Sequence, residues 1–154
     1  MRVKIEGKHR DFEYVVLSMD MGFRCGYVKV PESHPFYKKD CSEKIIYNLD
    51  VHGGITFSSH TIGDECLSDG YWLGFDCIHI STDIPDRDEM SPEVLKSSGR
   101  FSESIRELDK ILDSILPSYD KPERKIRNDR FVESHCRNLC DQLASVQNLP
   151  KSCP

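Results

Sequence analysis

Trp72-Leu73-Gly74-Phe75-Asp76-Cys77-Ile78-His79 decides the fold, together with Asp50-Val51-His52-Gly53-Gly54-Ile55-Thr56-Phe57. Both stretches mix aromatic and β-branched residues with glycine, which reads as strand. On ideal strand periodicity Tyr71, Leu73, Phe75, Cys77 and His79 share one face, and Trp72, Gly74, Asp76 and Ile78 the other. Asp50, His52, Gly54 and Thr56 likewise separate from Val51, Gly53, Ile55 and Phe57. Asp76 and His79 therefore converge only if the chain bulges, or turns at the strand end. Three chemically active side chains in one apolar stretch cost a few kcal/mol each to bury unless they are paired. The stretch reads as a site, the plain structural alternative being that these groups only bond to backbone and fix the sheet.

Upstream, residues 12–17 form a first strand, and Phe23, Cys25, Tyr27 and Lys29 alternate with Arg24, Gly26, Val28 and Val30 in a second. A turn at Asp20-Met21-Gly22 makes the two an antiparallel hairpin. Gly26 within that pattern marks a bulge or a close backbone approach. Pro31-Glu32-Ser33-His34-Pro35-Phe36 is a loop, Ile45, Ile46 and Leu49 suit a short helical turn, and residues 58–70 are a polar loop with a turn signal at Asp69-Gly70. Downstream, residues 81–100 open with an acidic loop. They continue into a short helix begun by Ser91-Pro92 and stopped at Gly99. A second helix follows over 102–116, with Ser102 as cap and Pro117 as stop. A third over 131–146 carries the stripe Val132, Cys136, Leu139, Cys140 and Leu143. The expectation is a single α+β domain over residues 1–154, with its core motifs in 23–146. It has an antiparallel sheet of about four strands packed against C-terminal amphipathic helices.

Composition narrows the function classes. The 154 residues are 31% charged and 38% hydrophobic, as in a soluble globular chain. A net charge of −5 provides no excess of Lys and Arg for general nucleic-acid binding. No apolar run approaches the ~18 residues that read as a membrane span, and the N-terminus has no apolar signal core, so the expected location is cytoplasmic. Seven cysteines at irregular spacing, with no Cys-x-x-Cys pair, read as reduced thiols. His52-Gly53-Gly54 is reminiscent of an esterase oxyanion loop, but the chain has no Gly-x-Ser-x-Gly elbow.

Several ordered motifs resemble those of a family of small phage- and prophage-encoded proteins. They are Cys25-Gly26-Tyr27-Val28, His34-Pro35-Phe36, the 50–57 and 72–79 stretches, and the Phe131-Val132…Ser134…Cys136…Leu139…Gln142-Leu143-Ala144 pattern. The resemblance implies a phage or prophage origin and the cytoplasm of an infected or lysogenic bacterium. It implies no activity. Members of that family follow the histidine with Ala-Gly-Asp, whereas this chain has Ile80-Ser81-Thr82-Asp83, which moves the aspartate by one position.

Three functional readings compete. In the first, a nucleotide-like ligand stacks on Tyr27 or Trp72, is hydrogen-bonded by His52, Thr56, Asp76 and His79, and approaches the Gly53-Gly54 backbone. In a phage setting this would sequester a small host defence signal. In the second, Cys77, His79 and His52 hold zinc as an N/S set, making a hydrolase for a small nucleotide-like substrate. A related arrangement has Cys77 as a nucleophile activated by a histidine. In the third, the protein inhibits a host factor by contact, through the acidic loop 83–89 or the helix 102–116.

Overall fold

A charged stretch that carries no clear strand signal opens the sheet. In the computed structural model, which describes residues 1–63, 69–79, 81–115 and 123–147, β1 (Arg2–His9) pairs antiparallel with β2 (Phe12–Ser18). The two residues between them, Arg10 and Asp11, have φ of 52° and 67°, as a two-residue hairpin turn requires. Arg2, Lys4, Glu6 and Lys8 punctuate β1 because it is the outer edge of the sheet, where charge discourages further pairing. β2 pairs with β3 (Arg24–Val30), forming the expected hairpin, and β3 pairs with β5 (Tyr71–Asp76). The sheet ends at the short β4 (Phe57–Ser59), giving five antiparallel strands in the order β1-β2-β3-β5-β4.

Two strand expectations are corrected. Residues 50–56 are not strand, because Gly53 and Gly54 take φ of 71° and 84° and Gly54 N–H donates to Val51 O at 3.0 Å, closing a turn. β5 stops at Asp76 rather than running on to His79. The Asp76 carboxylate accepts the N–H of Ile78 at 3.1 Å, a side-chain turn that diverts the chain from the sheet.

One helix closes the main core. Val132, Cys136, Leu139, Cys140 and Leu143 of α3 (Asp129–Gln147) are all fully buried against β1, β2 and β3. They meet Phe12, Tyr14, Val16, Val28, Leu73 and Phe75. Gly26 permits the close approach of α3: a Cβ there would lie 2.5 Å from the Phe75 ring and 2.7 Å from Cys136 Sγ. His34 locks the loop before α1 (Lys44–Tyr47) to α3. Its Nδ1 accepts the Phe36 N–H at 3.0 Å, so its Nε2 donates to Leu143 O at 2.9 Å, and burial holds its pKa below the usual value. The opposite sheet face carries a smaller cluster of Val15, Leu17, Cys25, Tyr27, Ile62 and Trp72.

The two helices expected over 91–116 are one. α2 (Pro92–Ile115) runs through Gly99, which has no left-handed φ, and Ser91 Oγ accepts the N–H of Val94 at its start. A single helical glycine costs only about 1 kcal/mol, which a helix of this length absorbs. None of its described side chains is buried. The expected stop at Pro117 lies outside the described residues, as do Cys66 and Cys153.

A second, two-stranded sheet pairs β6 (Asp83–Ile84) in parallel with β7 (Lys125–Ile126). Arg24, 4% exposed, ties this region to the main sheet. Its Nε donates to Asp129 at 2.9 Å and its Nη1 to Asp86 at 2.8 Å, while Glu89 accepts from Lys4 at 2.7 Å and Ser18 at 2.9 Å. The acidic loop therefore turns Asp83, Asp86 and Glu89 inward to bonded partners.

Candidate metal centre

The loop carrying His52 is hung from α3. Gln142 accepts the Asp50 N–H at 2.8 Å, and Asn138 and Gln142 both donate to Asp50 O at 2.9 Å. Val51 and Ile55 anchor the loop in the core. With the main chain fixed at both ends, the turn at Gly53-Gly54 directs His52 toward the end of β5. Its N–H donates to His135 Nδ1 at 3.2 Å. Its ring meets Phe131 edge-on at 5.3 Å and His79 at 5.1 Å.

Asp83 is the hub. Beyond Asp76 the chain curls so that Thr82 N–H and Asp83 N–H both donate to His79 O, at 2.9 and 2.7 Å. This folds the Asp83 carboxylate back to accept the His79 N–H at 3.0 Å. The same fully buried carboxylate accepts from His52 Nε2 at 2.9 Å and from Arg127 Nε at 2.9 Å. Burial pushes its pKa up, but the hydrogen bonds from Arg127, His52 and the His79 amide outweigh that and leave it below the usual carboxylate value. Arg127 lies 4.6 Å over the Phe131 ring. His135 is held toward its neutral form by burial and by the charges of His52 and Arg127.

His52, His79 and Asp83 thus place one ligand atom each within 4.8 Å of one another. Two imidazoles and a carboxylate, with a position left open, suit zinc-class ions. Among the described residues two buried side-chain polar atoms lack a hydrogen-bond partner: Trp72 Nε1, in the cluster on the opposite sheet face, and, at this site, Nε2 of the His79 ring. Gly53 makes room for that ring, since a Cβ there would lie 1.8 Å from His79 Nε2.

The anticipated residues divide. His52, Gly53 and His79 meet at this centre. The turn at the strand end brings Asp76 to 3.9 Å from His79 Nε2, the condition under which the two were expected to converge. Thr56 joins them by donating to Asp76 at 2.8 Å. Tyr27 and Trp72 do not join: they are buried, 8% and 4% exposed, in the cluster on the opposite sheet face. Strand alternation sends Trp72 away from Cys77, and Tyr27 meets Phe57 edge-on at 5.2 Å, so neither offers a free ring face. Cys77 is 1% exposed and burial pushes its thiol far up, which is wrong for a thiolate ligand or nucleophile. Asp83 stands in its place, changing the set from N/S to N/O. The Gly54 amide is spent on Val51 O and is not available to a phosphate, although the space above Gly54 is open.

Sequence reasoning missed Asp83, Arg127, Phe131 and His135. The available signals were an aspartate four residues after His79 and the i, i+4 pairing of Phe131 with His135 on α3. No helix among the described residues is long and apolar enough to cross a membrane. Compared with known proteins, the chain matches no family model, no curated protein and no solved structure.

Proposed function

We propose that the protein is a metal-assisted hydrolase acting on a small nucleotide-like substrate, with a zinc-class ion held by His52, His79 and Asp83. The convergence of these three donors within 4.8 Å carries the reading. When bound, such an ion supplies Lewis acidity and lowers the pKa of a coordinated water. The protein supplies the rest. Arg127 keeps Asp83 ionised and oriented through Oδ1, leaving Oδ2 on the side of His52 and the His79 amide. The Arg127 guanidinium stacked on Phe131 provides a fixed cation for a phosphate group. The motif resemblance to phage and prophage proteins supports a bacterial host setting, in which a small nucleotide defence signal is a fitting substrate.

The test is to strip the protein with a chelator, reload it with zinc, and incubate each form with a panel of nucleotides and signalling nucleotides read by mass spectrometry. Consumption that needs zinc, and that disappears in His52→Ala and Asp83→Ala, is the expected result. A compound retained intact by the chelated protein would replace hydrolysis with capture, the other use of the same surface. Arg127 on Phe131 favours that second reading, because it needs no metal.

A further inference from the structure

His79 Nε2 is a buried polar atom without a partner, although an anion stands close by. The Oδ1 of Asp76 lies 3.9 Å away, too far for a hydrogen bond and too near for a water to fit between. The carboxylate is not the mobile member of this pair. Thr56 Oγ1 donates to its Oδ2 at 2.8 Å and Ile78 N–H to its Oδ1 at 3.1 Å. The imidazole lies against Gly53, which has no side chain there, with the His52 ring edge-on at 5.1 Å. Closing the gap needs a ring movement of about 1 Å. A histidine that ligates a metal through one nitrogen donates its other N–H to a carboxylate or carbonyl, which fixes its tautomer and raises its basicity. Among the described residues, His79 has no other hydrogen-bond partner for Nε2.

We propose, resting on the metal reading above, that Asp76 is a positioning residue of this centre: its carboxylate accepts the Nε2–H of His79 and so makes Nδ1 the nitrogen that faces the ion. Thr56 belongs to the same chain of contacts, holding Asp76 as Asp76 holds the ring. The strand-ending turn at Asp76 then has two tasks, since the same carboxylate diverts the chain and receives the histidine.

Histidine-ring ¹⁵N–¹H spectra of the full chain during a zinc titration test this directly. In the zinc-loaded protein, Nε2 of His79 should carry the proton, with its proton resonance moved downfield, and Nδ1 should carry the zinc-induced shift. Asp76→Asn should bind zinc about 10–100-fold more weakly, with that proton resonance back upfield, and Asp76→Glu should recover part of the affinity. Thermal melts of the metal-free variants separate this from loss of fold, and Thr56→Val should show a smaller affinity loss in the same direction. Zinc on Nε2 of His79 would overturn the proposal. So would Asp76→Asn binding zinc as tightly as the native chain while His52→Ala binds none, an outcome that leaves the metal centre standing. A native chain that takes up no zinc would overturn both.

Discussion

Gly53 and Gly54 sit side by side at positive φ, yet substituting them should have different consequences. At Gly54 an added Cβ meets nothing within 4 Å, so Gly54→Ala should lose only the backbone term, about 1–2 kcal/mol. At Gly53 the Cβ would strike His79 Nε2 at 1.8 Å, so Gly53→Ala should lose about 1–3 kcal/mol more and displace His79. Urea unfolding of the pair checks the difference. Asp83 sets a second expectation. Its carboxyl is held below the ordinary 3.8, so its contribution is fully present above about pH 4 and is lost as the pH falls through the folded-state value. Asp83→Asn should cost about 1.5–3 kcal/mol at neutral pH and flatten the acid limb of stability against pH. At this scale the sequence reveals His52 and His79, because an imidazole next to a Gly-Gly pair or within an apolar stretch needs a reason to be there. Asp83 stays hidden because its role depends on the 79–83 curl, which alternation along a strand does not encode. Cys77 misleads for the opposite reason: its adjacency to His79 suggests a ligand pair, while depth of burial decides the thiol.

Among the elements, β2, β3, β5 and α3 are legible from periodicity, since each has a face committed to the core. β1 is not, because an edge strand half open to solvent sets only Val3 and Ile5 as large apolar residues between its charges, too few to stand out as a core face. The 50–57 stretch shows the converse: its alternation is real, but two adjacent left-handed glycines break the strand. Gly99 reads as a helix stop in the sequence, whereas α2 continues through it with open space around the missing side chain. Gly99→Ala should therefore strengthen α2 by about 1 kcal/mol. Greater ellipticity at 222 nm and slower amide exchange over Pro92–Ile115 would record it.

Across the whole molecule, Arg24 joins the main sheet, the 83–89 loop and the first turn of α3 through Asp86, Glu89 and Asp129. Its partners are partly exposed, so solvent screens each pair and the sum matters more than any one. Arg24→Met should destabilise the fold by about 1.5–3 kcal/mol, measured by denaturant melting. It should also loosen the Asp83 region, seen as faster exchange of the Asp86 amide that donates to Gly22 O at 2.9 Å. Such ties join segments far apart in the chain, which is why the acidic loop reads as plain surface when taken alone.

The hanging of the 50–52 loop from α3 also dictates an order of events during synthesis. The groups that hold Asp50 and His52 in place, His135, Asn138 and Gln142, are translated 83 to 92 residues after them. A nascent chain exposes both histidines of the centre well before the helix that fixes one of them has left the ribosome. The loop therefore takes its shape late, and an ion held there as proposed would be loaded onto a finished protein rather than a growing one.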